Sequence, residues 1–307
     1  MTNCIFEESW FLDVVAPNNW YAVEILRNEQ IHARWVYSIE RKWGKKTVCN
    51  PPFVQTVGPW FFDTNAKKVN SLAREKELLN ELIDKLPTGM NVDLTLDSNR
   101  QYILPFRWKG FRYEPTFSYR ISDLTNVEQI HSEFRENIKR DIKKAEKILT
   151  IKEDLPIDLL FELQNKIFAQ QKRKNPYDIE MIKRLDKTCR EHNASKFLAA
   201  IDAENNIHAV AYFVYDSERC YYMFSGADPK FKNSGAGCFL TWEGIKFASK
   251  YSKVFDFEGS NIEYIEQVFR SFNGDFVVNY RVFKLNFWAL LMDYLKPKIK
   301  KKIGYKH

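Results

Sequence analysis

Residues 219–272 limit what this chain can fold into more than any other stretch, because they read without interruption as strand, glycine-bearing loop, helix, strand and helix. Tyr221, Tyr222, Met223 and Phe224 make an aromatic strand that ends at Ser225-Gly226. The loop 228–234 leads into Gly235-Ala236-Gly237, after which Leu240, Phe247, Ala248 and Tyr251 share one helical face. A helix that opens on glycines offers unpaired backbone N–H groups and the positive end of its dipole, and small residues let an anion come close. Ser225, Gly226, Lys232, Ser234, Gly235, Ala236 and Gly237 are therefore the expected phosphate cradle. A plain helix-entry loop is the competing reading of the same glycines.

Composition bounds the class. A chain of 307 residues, 45 % hydrophobic and 15 % aromatic, can bury a full core and is long enough for two domains. No apolar run approaches the roughly 20 residues of a membrane span, and the opening MTNCIFEESW is acidic where a signal peptide would be basic, so a cytoplasmic location is expected. Cysteines at 4, 49, 189, 220 and 238 are scattered and include no Cys-x-x-Cys pair, which predicts reduced, structural thiols. The histidines lack metal spacing, and neither a Walker loop nor a Gly-x-Ser-x-Gly elbow occurs. Metal, ATP, serine-hydrolase and DNA-binding chemistry are not expected.

Along the chain, residues 7–16 predict a short helix, and 20–26 and 31–40 an antiparallel meander. The segment 49–60 holds too many prolines for a central strand and reads as an edge or a shaped loop. A helix at 66–86 and a strand at 90–96 follow. The same grammar returns with strands at 196–201, 207–215 and 219–225, a helix at 236–250 and a strand at 254–257. A duplicated α/β (α+β) unit explains the repeat. Between the copies lies a helical run at 126–149, whose residues 137–147 hold five basic and two acidic side chains, and helices at 157–173 and 178–192. That basic run is either a phosphate-binding surface or a solvated helix face.

The cradle pattern Lys232-x-x-Gly235-x-Gly237 resembles the pyrophosphate loop of GNAT acyltransferases, with Lys where that family has Arg or Gln. Asp256-Phe257-Glu258-Gly259-Ser260, Ile265-Glu266-x-x-Phe269-Arg270-x-Phe272, Pro51-Pro52-x-x-Gln55-Thr56-x-Gly58 and Leu104-Pro105-Phe106-x-Trp108-x-Gly110-Phe111 together resemble FemAB-like GNAT proteins of the kind common in Bacteroidetes. The resemblance implies tandem GNAT-like units, each a mixed, mainly antiparallel sheet flanked by helices. The expected boundaries are 1–125 for an acceptor-side unit, 126–286 for a unit with the acyl-donor cradle, and 287–307 for a basic tail. It also implies acyl-CoA, such as acetyl-CoA, as donor, no metal, and an acceptor amine or hydroxyl on a sugar or cell-envelope precursor, held between the units. Gln55, Trp108, Arg112 and Glu114 are the candidates on the acceptor side. Two rival readings stand beside this one: a Fem-type transferase using aminoacyl-tRNA, and a noncatalytic protein that keeps the fold for binding.

Acyl transfer from a thioester needs a polarised carbonyl, a deprotonated nucleophile and a protonated leaving thiolate. In the GNAT pattern the carbonyl is held at a bulge in the strand before the cradle, here 223–226, while Gly226 also suits a plain strand end. Asp256 and Glu258 at the end of the next strand are the candidate bases, Glu258 preferred; an ion pair or helix cap is the other reading. Asn261 fits the family's asparagine, but the family's tyrosine position falls at Val268 or Phe269, which leaves Tyr280 or Tyr264 as substitutes. The stripe Tyr264, Val268, Phe269, Phe272 is expected to be a core face.

The net charge of +7 is concentrated at one end, since residues 287–307 hold six lysines against Asp293 and so contribute +5. Phe287, Trp288, Leu290, Leu291, Tyr294 and Leu295 fall at helical spacing ahead of Lys296, Lys298, Lys300, Lys301 and Lys302. That helix either lies on an anionic membrane, at the inner face, or docks on its own protein. Pro297 and Gly304 predict that it stops near Leu295.

Overall fold

In the computed structural model, which describes residues 2–42, 44–64, 67–153, 155–259 and 263–302, the chain divides into two compact units. Unit 1 is Met1–Phe117 with Val278–His307, and unit 2 is Ser118–Val277.

Unit 1 starts with a 3-10 turn, Ile5–Glu7, and α1 (Ser9–Val15), which buries Phe11, Leu12 and Val15. The buried Glu7 carboxylate accepts from the Gly58 N–H at 3.0 Å and the Asn3 N–H at 2.8 Å, pinning the proline-rich loop to the N-terminus. β1 (Trp20–Arg27), β2 (Gln30–Lys42) and β3 (Lys45–Cys49) form the expected antiparallel meander, and β4 (Trp60–Phe61) pairs with β2. Asn28 and Glu29, both with positive φ, make the tight β1–β2 turn that two-residue hairpins require. Among the prolines, 50–59 forms a loop tied down by the Asn50 side chain, which donates to Gln55 O at 2.8 Å and accepts from the Thr95 N–H at 3.0 Å. α2 (Lys68–Asp84) crosses to β5 (Asn91–Leu96), which runs parallel to β3. α3 (Leu104–Trp108) and β6 (Arg112–Ile121) follow, and the unit boundary falls inside β6.

In unit 2 the expected helix at 126–149 is two helices, α4 (Val127–Ser132) and α5 (Glu136–Ala145). The break is a tertiary effect: Phe134 sits buried between the rings of Trp242 and Phe272, at 5.4 and 4.9 Å, and the Arg135 N–H bonds to Ser271 O instead of continuing a helix. β7 (Thr150–Lys152), α6 (Asp158–Gln170) and α7 (Ile179–Glu191) lead to a second meander of β8 (Ser195–Ile201), β9 (Ile207–Tyr215) and β10 (Arg219–Ala227). α8 (Ala236–Tyr251) crosses to β11 (Val254–Asp256), parallel to β10, just as α2 links β3 to β5. Each unit thus carries a mostly antiparallel sheet with one parallel pair bridged by a helix, which is the duplicated grammar expected from the sequence. The core of unit 2 packs Ile138, Ile142 and Ala145 of α5 and Phe239, Leu240 and Ile245 of α8 with Phe213 and Phe255 of the sheet.

α9 (Glu263–Ser271) buries Phe272 just past its end and packs Phe269 against the core, whereas Tyr264 and Val268 are exposed. The stripe expected as one core face therefore splits, since these residues span more of the helix circumference than the sheet covers. Glu266 accepts from the Tyr119 hydroxyl at 2.6 Å and from Arg270 Nε at 2.9 Å, so this part of the motif fastens α9 to β6. Those two bonds hold the Glu266 carboxyl below its ordinary range.

β12 (Asp275–Lys284) has no counterpart in the sequence reading, and it moves the expected boundary at 286 to 277. Tyr280 to Lys284 pair antiparallel with Leu96 to Val92 of β5, so from Val278 onward the chain belongs to unit 1. α10 (Phe287–Lys302) runs through Pro297 instead of stopping near Leu295. A proline there removes one backbone donor without ending the helix.

Candidate active site

The strand before the cradle carries the bulge that the sequence anticipates. β10 pairs with β9 as Tyr222↔Phe213 and then Phe224↔Tyr212, which leaves Met223 as the extra residue. On its other side β10 pairs with β11 only from Arg219↔Val254 to Tyr221↔Asp256, while β10 continues to Ala227. The parallel pairing therefore stops immediately before the bulge, where β11 ends at Asp256 and the Phe257 N–H turns to Tyr119 O at 3.1 Å.

The two cradle glycines have different physical reasons. Gly235 is the N-cap of α8 with φ +82°, and a Cβ there would overlap the carbonyl oxygen of Asp141 on α5. Its smallness serves helix packing. Gly237, the second residue of α8, would project a Cβ into open space, so nothing in the protein demands a glycine there. By helix geometry the N–H groups of Gly237 and Cys238 have no intrahelical acceptor. Ser234 is buried, its Oγ accepting from the Ala236 N–H at 3.3 Å, and so caps the helix from inside. Gly226 is also a packing glycine, with Leu163 of α6 against its Cα. Ser225 is exposed, its carbonyl accepting from Gln164 at 3.3 Å. Lys232 is exposed on the loop, and Asn261 lies outside the described residues.

α5 supplies the positive surroundings. Arg140, Lys143, Lys144 and Lys147 are exposed, and Lys144 Nζ donates to Asn233 O at 2.5 Å, clamping the cradle loop to the basic helix. The basic run is a solvated face, and it flanks the open N-terminus of α8.

The candidate bases separate sharply. Asp256 is buried, with Oδ2 accepting from Arg120 Nε at 2.5 Å and lying 3.6 Å from Arg219, while Oδ1 accepts from the Ser118 hydroxyl at 3.0 Å and the Glu258 N–H at 2.8 Å. Three hydrogen bonds and a second guanidinium hold the carboxylate, so Asp256 is an ion-pair partner that also organises the loop at Glu258, in line with the ion-pair reading of these carboxylates. Glu258 does not share a strand face with it, because β11 ends at Asp256 and Glu258 has φ +62°. A left-handed glutamate is strained by on the order of 1–2 kcal/mol, and such residues concentrate where a loop has been shaped for a task. Glu258 is half-buried, held in that turn by the Asp256 carboxylate.

For the phenol, Tyr280 lies on β12 in unit 1, its ring edge-on to Tyr113 at 6.3 Å, and Tyr264 is exposed on α9. The sequence reading missed Tyr222, which directly precedes the bulge. Its hydroxyl interacts with the side chains of Thr241 on α8 and Ser225, and burial raises its pKa above the usual 10.0. The signal was present as an aromatic next to the expected bulge, but alternation along a strand does not say which aromatic faces the helix.

Of the acceptor-side candidates, Gln55 borders a polar cavity of about 290 Å³ in unit 1, lined also by Lys42, Asp93, Arg281 and Asp293. Glu114 joins the same network through Arg281 at 3.2 Å. Trp108 is exposed with Lys76 over its ring, and Arg112 is exposed; neither lines that cavity. Arg281, absent from the sequence reading, is the hub, with Asp93 at 2.6 Å and Asp293 at 2.9 Å. Among the described residues no group of His, Cys, Asp and Glu is placed to hold a metal ion. Cys49, Cys189, Cys220 and Cys238 carry free thiols, and burial pushes those of Cys189 and Cys238 up to about 12.

A helix-bridged parallel pair beside a bulged strand is the arrangement of a GNAT-like fold, and comparison with known proteins agrees. Residues 132–264 match the acetyltransferase (GNAT) domain family. Over the whole chain the fold is similar to that of FemX, covering 95 % of this chain and 94 % of that one, with a TM-score of 0.65 at 10 % identity. It is similar to the C-terminal domain of a putative lysylphosphatidylglycerol synthetase from Agrobacterium fabrum over 96 % and 92 %, with a TM-score of 0.61 at 11 % identity. A tandem GNAT protein from the clavulanic acid biosynthesis pathway aligns over 89 % and 85 %, with a TM-score of 0.51 at 8 % identity. No curated protein matches the sequence significantly.

Proposed function

We propose that the chain is an acyltransferase that takes an acyl group from an acyl-CoA thioester at the cradle of unit 2 and passes it to an amine or hydroxyl. The observation that carries this reading is the end of the β10–β11 ladder at Tyr221↔Asp256, with a bulge at Met223 and the open N-terminus of α8 at Gly237 on the same strand–helix connection. The N–H groups at Gly237 and Cys238, with Lys232, would hold the pyrophosphate of coenzyme A. Main-chain N–H groups at the bulge would polarise the thioester carbonyl. Glu258 takes the proton of the attacking group as the new C–N or C–O bond forms, and Tyr222 protonates the sulfur as the C–S bond breaks. Asp256 positions Glu258 without exchanging a proton itself. The polar cavity at Gln55 and Arg281 in unit 1 is assigned to recognition of a hydroxyl- or amine-rich acceptor, in keeping with an envelope precursor. Calorimetric titration with coenzyme A and acetyl-CoA tests the reading: micromolar binding that Gly237→Val removes supports it, and no binding by the folded protein rejects it.

A second reading, transfer of an aminoacyl group, is favoured by the exposed basic face of α5 beside the cradle and by the likeness to the C-terminal domain of a putative lysylphosphatidylglycerol synthetase. An aminoacyl-tRNA would place a polyanion along that face. Transfer assays with radiolabelled acetyl-CoA and with charged tRNA separate the two donors.

A further inference from the structure

The helix α10 is attached to unit 1 by its smaller side. Asn286 starts it, its N–H bonded to Asn91 at 2.9 Å and its side chain capping the Ala289 N–H at 2.8 Å. Ala289 is fully buried, and Asp293 accepts from Arg281 at 2.9 Å. Phe287 and Trp288, by contrast, are 70 % and 69 % exposed, and Leu291 and Met292 are exposed with them. At 100° per residue these four fall within an arc of about 140°, and the rings of Phe287 and Trp288 lie edge-to-face at 5.4 Å. Of the two alternatives open for this helix, the docking on its own protein is made by Ala289 and Asp293, while the large apolar side chains are exposed.

A continuous apolar helix face left in water marks an interaction surface. The character of the partner follows from the rest of the helix, which carries Lys296, Lys298, Lys300, Lys301 and Lys302 with no acidic residue after Asp293. Exposed Trp and Phe followed by a lysine run match an interface of hydrocarbon edge and anionic headgroups. Among the described residues no helix is long and apolar enough to cross a membrane, so the association is with a surface. We infer that α10 binds the face of an anionic phospholipid bilayer, inserting Phe287, Trp288, Leu291 and Met292 at the headgroup level while the lysine run supplies the electrostatic attraction.

The test is sedimentation of the full chain with vesicles of phosphatidylcholine, with or without about one quarter phosphatidylglycerol, at low and high salt. The expected result is pelleting with the anionic vesicles alone, weakened at least about tenfold near 1 M salt, where the screening length falls to roughly 3 Å. The paired substitution Phe287→Ser and Trp288→Ser should lose at least about tenfold in binding at low salt and leave the melting temperature unchanged, since both side chains are exposed. Equal binding by the paired variant, equal binding to neutral vesicles, or a large fall in melting temperature would each overturn the inference; the last would mean that the face packs on protein. A wild-type chain that ignores vesicles yet pairs with itself or another protein through Phe287 and Trp288 would overturn it as well.

Discussion

Arg120 Nε donates to Asp256 Oδ2 across 2.5 Å, with both side chains buried, and this pair gives Asp256 surroundings unlike those of the half-buried Glu258 just past β11. Asp256 is fixed by the Arg120 guanidinium and in turn fixes the Glu258 N–H. Glu258→Gln should therefore lower turnover by about 10²- to 10⁴-fold with little change in donor affinity or melting temperature. Asp256→Asn should unfold more easily, by about 3 kcal/mol, because Arg120 would keep a buried charge without its counter-ion. Steady-state kinetics beside thermal melts check both; a stable Asp256→Asn protein with full activity would contradict the ion-pair role.

Gly235 and Gly237 should behave oppositely. Gly235→Ala meets both a positive φ and the Asp141 carbonyl, so a loss of stability of at least about 2 kcal/mol is expected in chemical denaturation. Gly237→Ala faces open space inside a helix and should be neutral or stabilising by up to about 1 kcal/mol, while Gly237→Val should abolish coenzyme A binding in a protein that remains folded. Retained affinity in that variant would remove the cradle from Gly237.

Tyr222→Phe should reduce kcat about 10²-fold and leave KM nearly unchanged if its hydroxyl protonates the leaving sulfur. Burial raises this phenol's pKa above 10.0, so it stays protonated across the neutral range, and the wild-type rate should show no alkaline fall due to Tyr222 below about pH 10. A wild-type rate for Tyr222→Phe would return the acid role to another group.

Acid stability should depend on Asp202, which sits in the β8–β9 turn and bonds the side chains of Asn206 and His208. Burial would raise its pKa, but the hydrogen bonds from Asn206 and His208 prevail and lower it from 3.8 to about 2. A depressed carboxyl pKa contributes stability that is complete above the unfolded value and is lost as pH falls through the folded one. The stability difference between wild type and Asp202→Asn should therefore shrink between about pH 4 and pH 2, followed by denaturant melts at each pH. A difference that stays constant over that window would exclude the linkage. His208 stacks on Phe231 at 3.9 Å, so the cradle loop should loosen over the same range.

The sequence by itself determined the elements whose signal is local. The 20–40 hairpin, the meander of β8, β9 and β10, and α8 follow from alternation, turn residues and helical period, and the glycine-bearing loop that enters α8 follows from glycines between a strand and a helix. Tertiary structure alone decided which partner each side chain met. β12 was not legible because its role comes from pairing with β5, some 190 residues earlier, and the split between α4 and α5 comes from Phe134 finding Trp242 and Phe272. Two glycines with the same local pattern took different duties because only one lies against α5. Helical period gave α10 an apolar face but could not give its direction, which Ala289 and the Arg281–Asp293 ion pair decided by turning that face outward. Spacing specifies which residues share a face, and only packing of distant segments specifies what that face meets.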